Sequence, residues 1–119
     1  MAHYLEIHTA PKTITQYAKV LDFCADGLNE QLTKVFGITR CPFNDIFRQF
    51  FDVPSTEWDA HYHVLDDNSV MYLIKDLEHE RAVADWADKE MMTSAIEMLK
   101  NILDVINTAE VSYLISWSK

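Results

Sequence analysis

Apolar positions along the chain change their spacing several times, and each change predicts a new element. In "HYLEIHT", Leu5 and Ile7 fall on one side and Tyr4, Glu6 and His8 on the other, which predicts a short strand before Pro11. From Thr13 the steps lengthen. Ile14, Tyr17, Ala18, Leu21, Ala25, Leu28, Leu32 and Val35 draw one stripe along a predicted helix of about six turns. Gly27 sits inside that stripe at a cost of about 1 kcal/mol relative to alanine, and Gly37 supplies the stop signal. "CPFNDIFRQFFDVP" then places Pro42 at the start of a short helix whose aromatic face, Phe43, Ile46, Phe47, Phe50 and Phe51, belongs to the core.

The next stretch, "WDAHYHVLDDNSVMYLIKD", reads as a hairpin: strands over residues 57–65 and 70–75, joined around "DDNS", whose side chains favour turns. In that register Trp58, Ala60, Tyr62 and Val64 face the helices, while Asp59, His61 and His63 face outward, with Tyr72 opposite His63 and Ile74 opposite His61. "LEHERAVADWADK" carries both a helical and an alternating pattern, and its alanines and charges favour helix. Ala87, Met91, Ala95, Met98, Ile102 and Val105/Ile106 then predict a helix to about residue 107. In "EVSYLISWSK", Val111, Tyr113, Ile115 and Trp117 alternate with Ser112, Leu114 and Ser116, which is a strand pattern.

This order predicts an α+β fold over residues 1–119 as one domain. A small antiparallel or mixed sheet, made of the N-terminal strand, the central hairpin and the C-terminal strand, packs against two longer helices and one short helix, and the two terminal strands are candidate neighbours. A length of 119 residues with 49% hydrophobic content suits one core and leaves no room for a second domain. Two glycines, three prolines and no repeat or biased tract argue against linkers. The start of the chain lacks a basic region followed by an apolar run, and no apolar run reaches membrane-spanning length. Cys24 and Cys41 lack a CxxC spacing, so two reduced thiols in a cytoplasmic protein are expected, with a Cys24–Cys41 bridge as the alternative.

Candidate chemistry is sparse. His61 and His63 share a strand face with Asp59, but zinc needs three or four ligands, and the rest would have to come from His3, His8, His79 or a cysteine, so no metal is expected. "LEHERAV" lacks the second histidine of a zincin helix, G-x-S-x-G is absent, and Gly27 and Gly37 alone build no phosphate loop. Neither a catalytic residue nor a cofactor is expected.

Charge is more informative. Residues 52–90 hold eleven acids and three bases, while the flanking segments are nearly balanced, so almost all of the net charge of −9 lies in the middle of the chain. Such a field repels nucleic acid and anionic lipid, whose binding requires Lys and Arg, and it attracts a basic protein. Trp58, Tyr62, Tyr72 and Trp86 lie among these acids, as aromatic anchors do in interfaces. The expected partner-binding residues are Asp59, His61, His63, Asp66, Asp67, Asp76, Glu78, Glu80, Asp85 and Trp86. The expected function is an inhibitor of immunity-protein, antitoxin or phage counter-defence type that covers the groove of a basic toxin, nuclease or nucleic-acid-binding effector. Two alternatives stand beside it: a ligand-binding or enzymatic domain with a pocket between sheet and long helix, using His61, His63 or Cys24, and an acidic adaptor or secretion chaperone working as a dimer.

Overall fold

A computed structural model describes residues 4–16, 19–22, 27–53 and 61–117. They form one α+β domain with a five-stranded antiparallel sheet. In chain order the elements are β1 (Tyr4–Pro11), α1 (Lys12–Thr15), β2 (Val20–Asp22), α2 (Leu28–Gln31), β3 (Thr33–Thr39), α3 (Asn44–Phe50), β4 (His61–Val64), α4 (Asp67–Arg81), α5 (Trp86–Val105) and β5 (Val111–Trp117). The strand order is β2-β4-β5-β1-β3.

The two strands nearest the termini are neighbours, as expected, and pair antiparallel from Leu5↔Trp117 to Pro11↔Val111. Their apolar residues set the layers. Leu5, Ile7, Ile115 and Trp117 face α3, α4 and α5 and are buried against Phe47, Leu73, Leu77, Ile96 and Leu99. The opposite face carries Glu6, His8, Leu114 and Ser116. There α1 folds back on β1 and β5, and the hydroxyls of Thr15 and Ser112 lie 2.6 Å apart.

The long helix expected from Thr13 to Val35 is not formed. Within that stretch the structure places α1, β2, α2 and the start of β3. Gly27, which falls inside the apolar stripe, adopts φ +72°, a left-handed conformation that breaks a helix and that glycine takes without a Cβ penalty. The β-branched residues Val20, Thr33 and Val35, which lie in β2 and β3, also favour strand over helix. Val35, in the predicted buried stripe, is 42% exposed at the edge of the sheet.

The expected hairpin is also replaced. Its first half survives as β4, which pairs with β5 (His63↔Ile115) and with β2 (Val20↔His63, Asp22↔His61) rather than with residues 70–75. "DDNS" is a helix start: the Asp66 carboxylate accepts from the Ser69 amide at 2.7 Å, and the Ser69 hydroxyl accepts from the Asp66 amide at 2.8 Å. That reciprocal cap satisfies amides that the first helical turn leaves orphaned. Beyond it Val70, Leu73, Ile74 and Leu77 are buried at helical spacing and hold α4 on the sheet.

The doubtful segment after residue 76 is helical to Arg81, turns at Ala82–Ala84, and restarts at Trp86 after the Asp85 cap, whose carboxylate accepts from the Asp88 amide at 2.9 Å. The buried stripe of α5 runs through Met92, Ala95, Ile96, Leu99 and Ile102, rotated by about one position from the expected stripe, so Ala87 and Val105 are exposed. Helices α4 and α5 form an antiparallel hairpin, tied by Arg81 donating to Thr93 at 3.2 Å.

At the far edge, β3 pairs with β1 through a bulge: Ile7 stands opposite Phe36, yet His8 stands opposite Lys34, leaving Val35 as the extra residue. Lys34 extends over Gly37 and pairs with Glu6 of β1 at 3.2 Å.

Candidate partner-binding groove

The expected site residues scatter when placed on this fold. His63 is not on an outward face. It is 5% exposed and packs among Phe51 and Trp117, with ring centroids at 4.6 and 4.7 Å. The inversion follows from register, because His63 stands opposite Ile115, whose side faces the helices. Tyr62, expected on the helix side, instead meets His8 edge to face at 5.4 Å on the opposite face. His61 is half-exposed at the β2 edge, 3.7 Å from Asp22. Asp59 and Trp58 lie outside the described residues.

The acids divide by position along α4. Asp66 and Asp67 sit at its start and Glu80 near its end, about 21 Å away at 1.5 Å per residue, so they do not make one patch. The Asp66 and Asp85 carboxylates are engaged as caps. Glu78 approaches Lys100 of α5 at 4.0 Å. Asp76 and Glu80 are different. They are exposed and turn toward α3, where they line a cleft of about 300 Å³ with Ile46, Gln49, Phe50 and His79.

A second cleft, of about 370 Å³, continues from the first and shares Ile46, Gln49 and Glu80 with it. It carries Asp45 of α3, Asp88 of α5, and an apolar lining that includes Phe43, Val83 and Met92. The two clefts make one groove between α3 and the α4–α5 hairpin, with four carboxylates and no lysine or arginine among its described lining residues. Val83 and the nearby Trp86 are 82% and 74% exposed, unusual for side chains of that size.

Of the residues expected at an interface, Asp76 and Glu80 line this groove; Asp45, Ile46, Val83 and Asp88, which also line it, were not among them. Asp45 and Ile46 lie in a segment of balanced charge, and only the packing of α3 beside α4 brings them to the acids. Burial pushes the thiol of Cys41, a free cysteine beneath this region, up to about 12, with Asp88 adding to the shift, so Cys41 is a packing residue.

A third cleft, of about 410 Å³, lies on the other face of the sheet beside the Glu6–Lys34 pair and is lined also by Tyr4, Ile38 and Thr39. Next to it His8 is 9% exposed, its Nδ1 is buried without a hydrogen-bond partner, and burial lowers its pKa. A shielded, neutral imidazole beside a satisfied ion pair is poorly placed for proton transfer to a ligand. Among the described residues no group of three or more His, Cys, Asp or Glu side chains gathers around a point that suits a metal, and no helix is long and apolar enough to cross a membrane. Comparison with protein families, curated proteins and solved structures gave no match.

Proposed function

We propose that this chain is a small acidic binding protein that blocks a basic protein partner by seating part of it in the α3/α4–α5 groove. One observation carries the reading: Asp76, Glu80 and Asp88 border an apolar floor with no lysine or arginine among the described lining residues, and Asp45, paired with Arg48 of its own helix at 3.1 Å, adds a fourth carboxylate. Carboxylates so arranged attract Lys and Arg, steer their approach, and repel phosphate. The exposed Val83 and Trp86 beside them supply apolar and aromatic contact area, the usual source of affinity at an interface. A toxin, nuclease or nucleic-acid-binding effector, whose own groove is lined by Lys and Arg, is the partner class such a surface inhibits. Action in the cytoplasm accords with Cys41 as a free, buried thiol.

The test begins with partners recovered by cross-linking in the cell and then purified. Association rates are measured at low and high salt for the wild type, for Asp45→Lys/Asp76→Lys/Glu80→Lys/Asp88→Lys, and for Glu97→Lys/Asp104→Lys outside the groove. The groove variant should associate at least about tenfold more slowly, with a weaker salt dependence, while the control follows wild type. A groove variant that associates at the wild-type rate sinks the proposal.

A further inference from the structure

The walls of the groove restrict what fits it. Along α4, Tyr72, Asp76, His79 and Glu80 recur at helical steps and share one face, Val83 follows in the turn after the helix, and Ile46, Gln49 and Phe50 of α3 lie across the groove from this strip. Tyr72 is 60% exposed, and its ring lies 6.2 Å from that of Phe50, which closes one end with aromatic surface. From Tyr72 to Glu80 the helical strip is about 12 Å long, and Val83 in the turn beyond extends it to about three helical turns.

Both walls are built mainly on helices, which present side chains to the groove and direct their backbone hydrogen bonds along their own axes, so neither wall offers the open edge of a sheet. An extended segment laid here gains no ladder of hydrogen bonds, and its own backbone groups meet apolar side chains. A helix brings a satisfied backbone and presents a ridge of side chains to a trough, the geometry by which helices pack. The charges have matching spacing. Asp76 and Glu80 stand one turn apart on the α4 wall, and Asp45 and Asp88 border the far end.

We infer that the occupant is a three-turn amphipathic helix of the basic partner, its apolar ridge on Ile46, Phe50 and Val83 and its Lys or Arg side chains, one turn apart, on Asp76 and Glu80. This rests on the groove being the docking surface for a basic protein, and it adds which secondary structure that protein presents.

Three peptides of about fifteen residues test it, long enough to fill three turns with flanking residues. One arranges Leu and Lys at helical period, one has the same composition in strict alternation, and one is the helical-period peptide with Glu in place of Lys. Each is titrated into the full chain labelled with nitrogen-15. The helical Lys peptide should shift the amide signals of Ile46, Gln49, His79 and Val83 saturably, with a Kd below about 1 mM. The alternating peptide should bind at least about tenfold more weakly, and the Glu peptide should not bind. Asp76→Lys/Glu80→Lys, checked for an unchanged fold by its dispersed spectrum, should abolish the shifts. Equal or tighter binding of the alternating peptide at the same signals overturns the helix and leaves the basic-partner reading standing. No saturable shift with either Lys peptide, or shifts that persist in the Asp76→Lys/Glu80→Lys variant, overturns both.

Discussion

His63 of β4 lies flat against Trp117 of β5, with ring centroids 4.7 Å apart and planes inclined by 16°, a diagonal contact across the ladder in which His63 itself faces Ile115. Phe51 completes the cluster, 4.6 Å from His63 and 5.6 Å from Trp117. The imidazole thus joins the end of α3 to the centre of the sheet. His63→Ala should cost about 2–4 kcal/mol in urea unfolding, whereas His63→Phe should keep most of that stability. A loss below about 0.5 kcal/mol in the alanine variant, the range of ordinary surface substitutions, contradicts the packing role.

The cap on α4 is open to a simple measurement. Asp66→Ala or Ser69→Ala removes one side of the reciprocal pair and should destabilise the fold by about 1 kcal/mol, within a range of about 0.5–2. Because the two bonds form one unit, the double variant should lose less than the sum of the single losses. Additive losses show that the two bonds act independently.

His8 gives a pH dependence with a definite sign. Burial is the largest cause lowering its pKa below 6.5; the Glu6 carboxylate opposes this shift and the Lys34 ammonium adds to it. The unfolded chain therefore binds this proton more readily than the folded one. The resulting stability is complete above about pH 6.5 and drains as pH falls toward the folded value. His8→Phe should flatten the decline in unfolding free energy between about pH 7 and 5. An equal slope in both proteins assigns the decline to other groups.

Cys41, buried at 3% exposure with its pKa raised to about 12, should resist thiol reagents while the protein is folded. In a Cys24→Ser background, a disulfide reagent at pH 8 should modify Cys41 no faster than the protein opens, and denaturant should speed the reaction to that of a free thiol. Rapid native modification shows that the site is open.

Much of the fold class was legible because alternation is unambiguous where one sheet face packs on helices, as in Leu5 and Ile7 or Ile115 and Trp117. Two misreadings have identifiable causes. "DDNS" carries the same residue types for a turn and for a helix cap; the decision lay downstream, where Val70, Leu73, Ile74 and Leu77 fit the helical period better than the strand period. Between Thr13 and Val35, apolar spacing outweighed Gly27 and the β-branched Val20, Thr33 and Val35, which were the truer signal. The groove was half legible. Charge density over residues 52–90 covered Asp76, Glu80 and Asp88, but Asp45 lies in a balanced segment and approaches them only through tertiary packing.

The bulge at Val35 and the Lys34–Glu6 pair bear on how the molecule behaves in crowded company. An outermost strand is a template on which other chains can polymerise, and β3 is rich in residues that favour such growth. Here the extra residue throws the hydrogen-bonding groups out of step, and an incoming strand beside Lys34 would have to strip water from an ammonium. A bulge and a charged side chain on an outer strand are both features that blunt such pairing. Lys34→Val with Val35 deleted should therefore raise the rate of thioflavin-positive aggregation at high concentration while the monomer still folds. If the variant stays as dispersed as the parent, the far side of β3 is guarded by something other than its own residues.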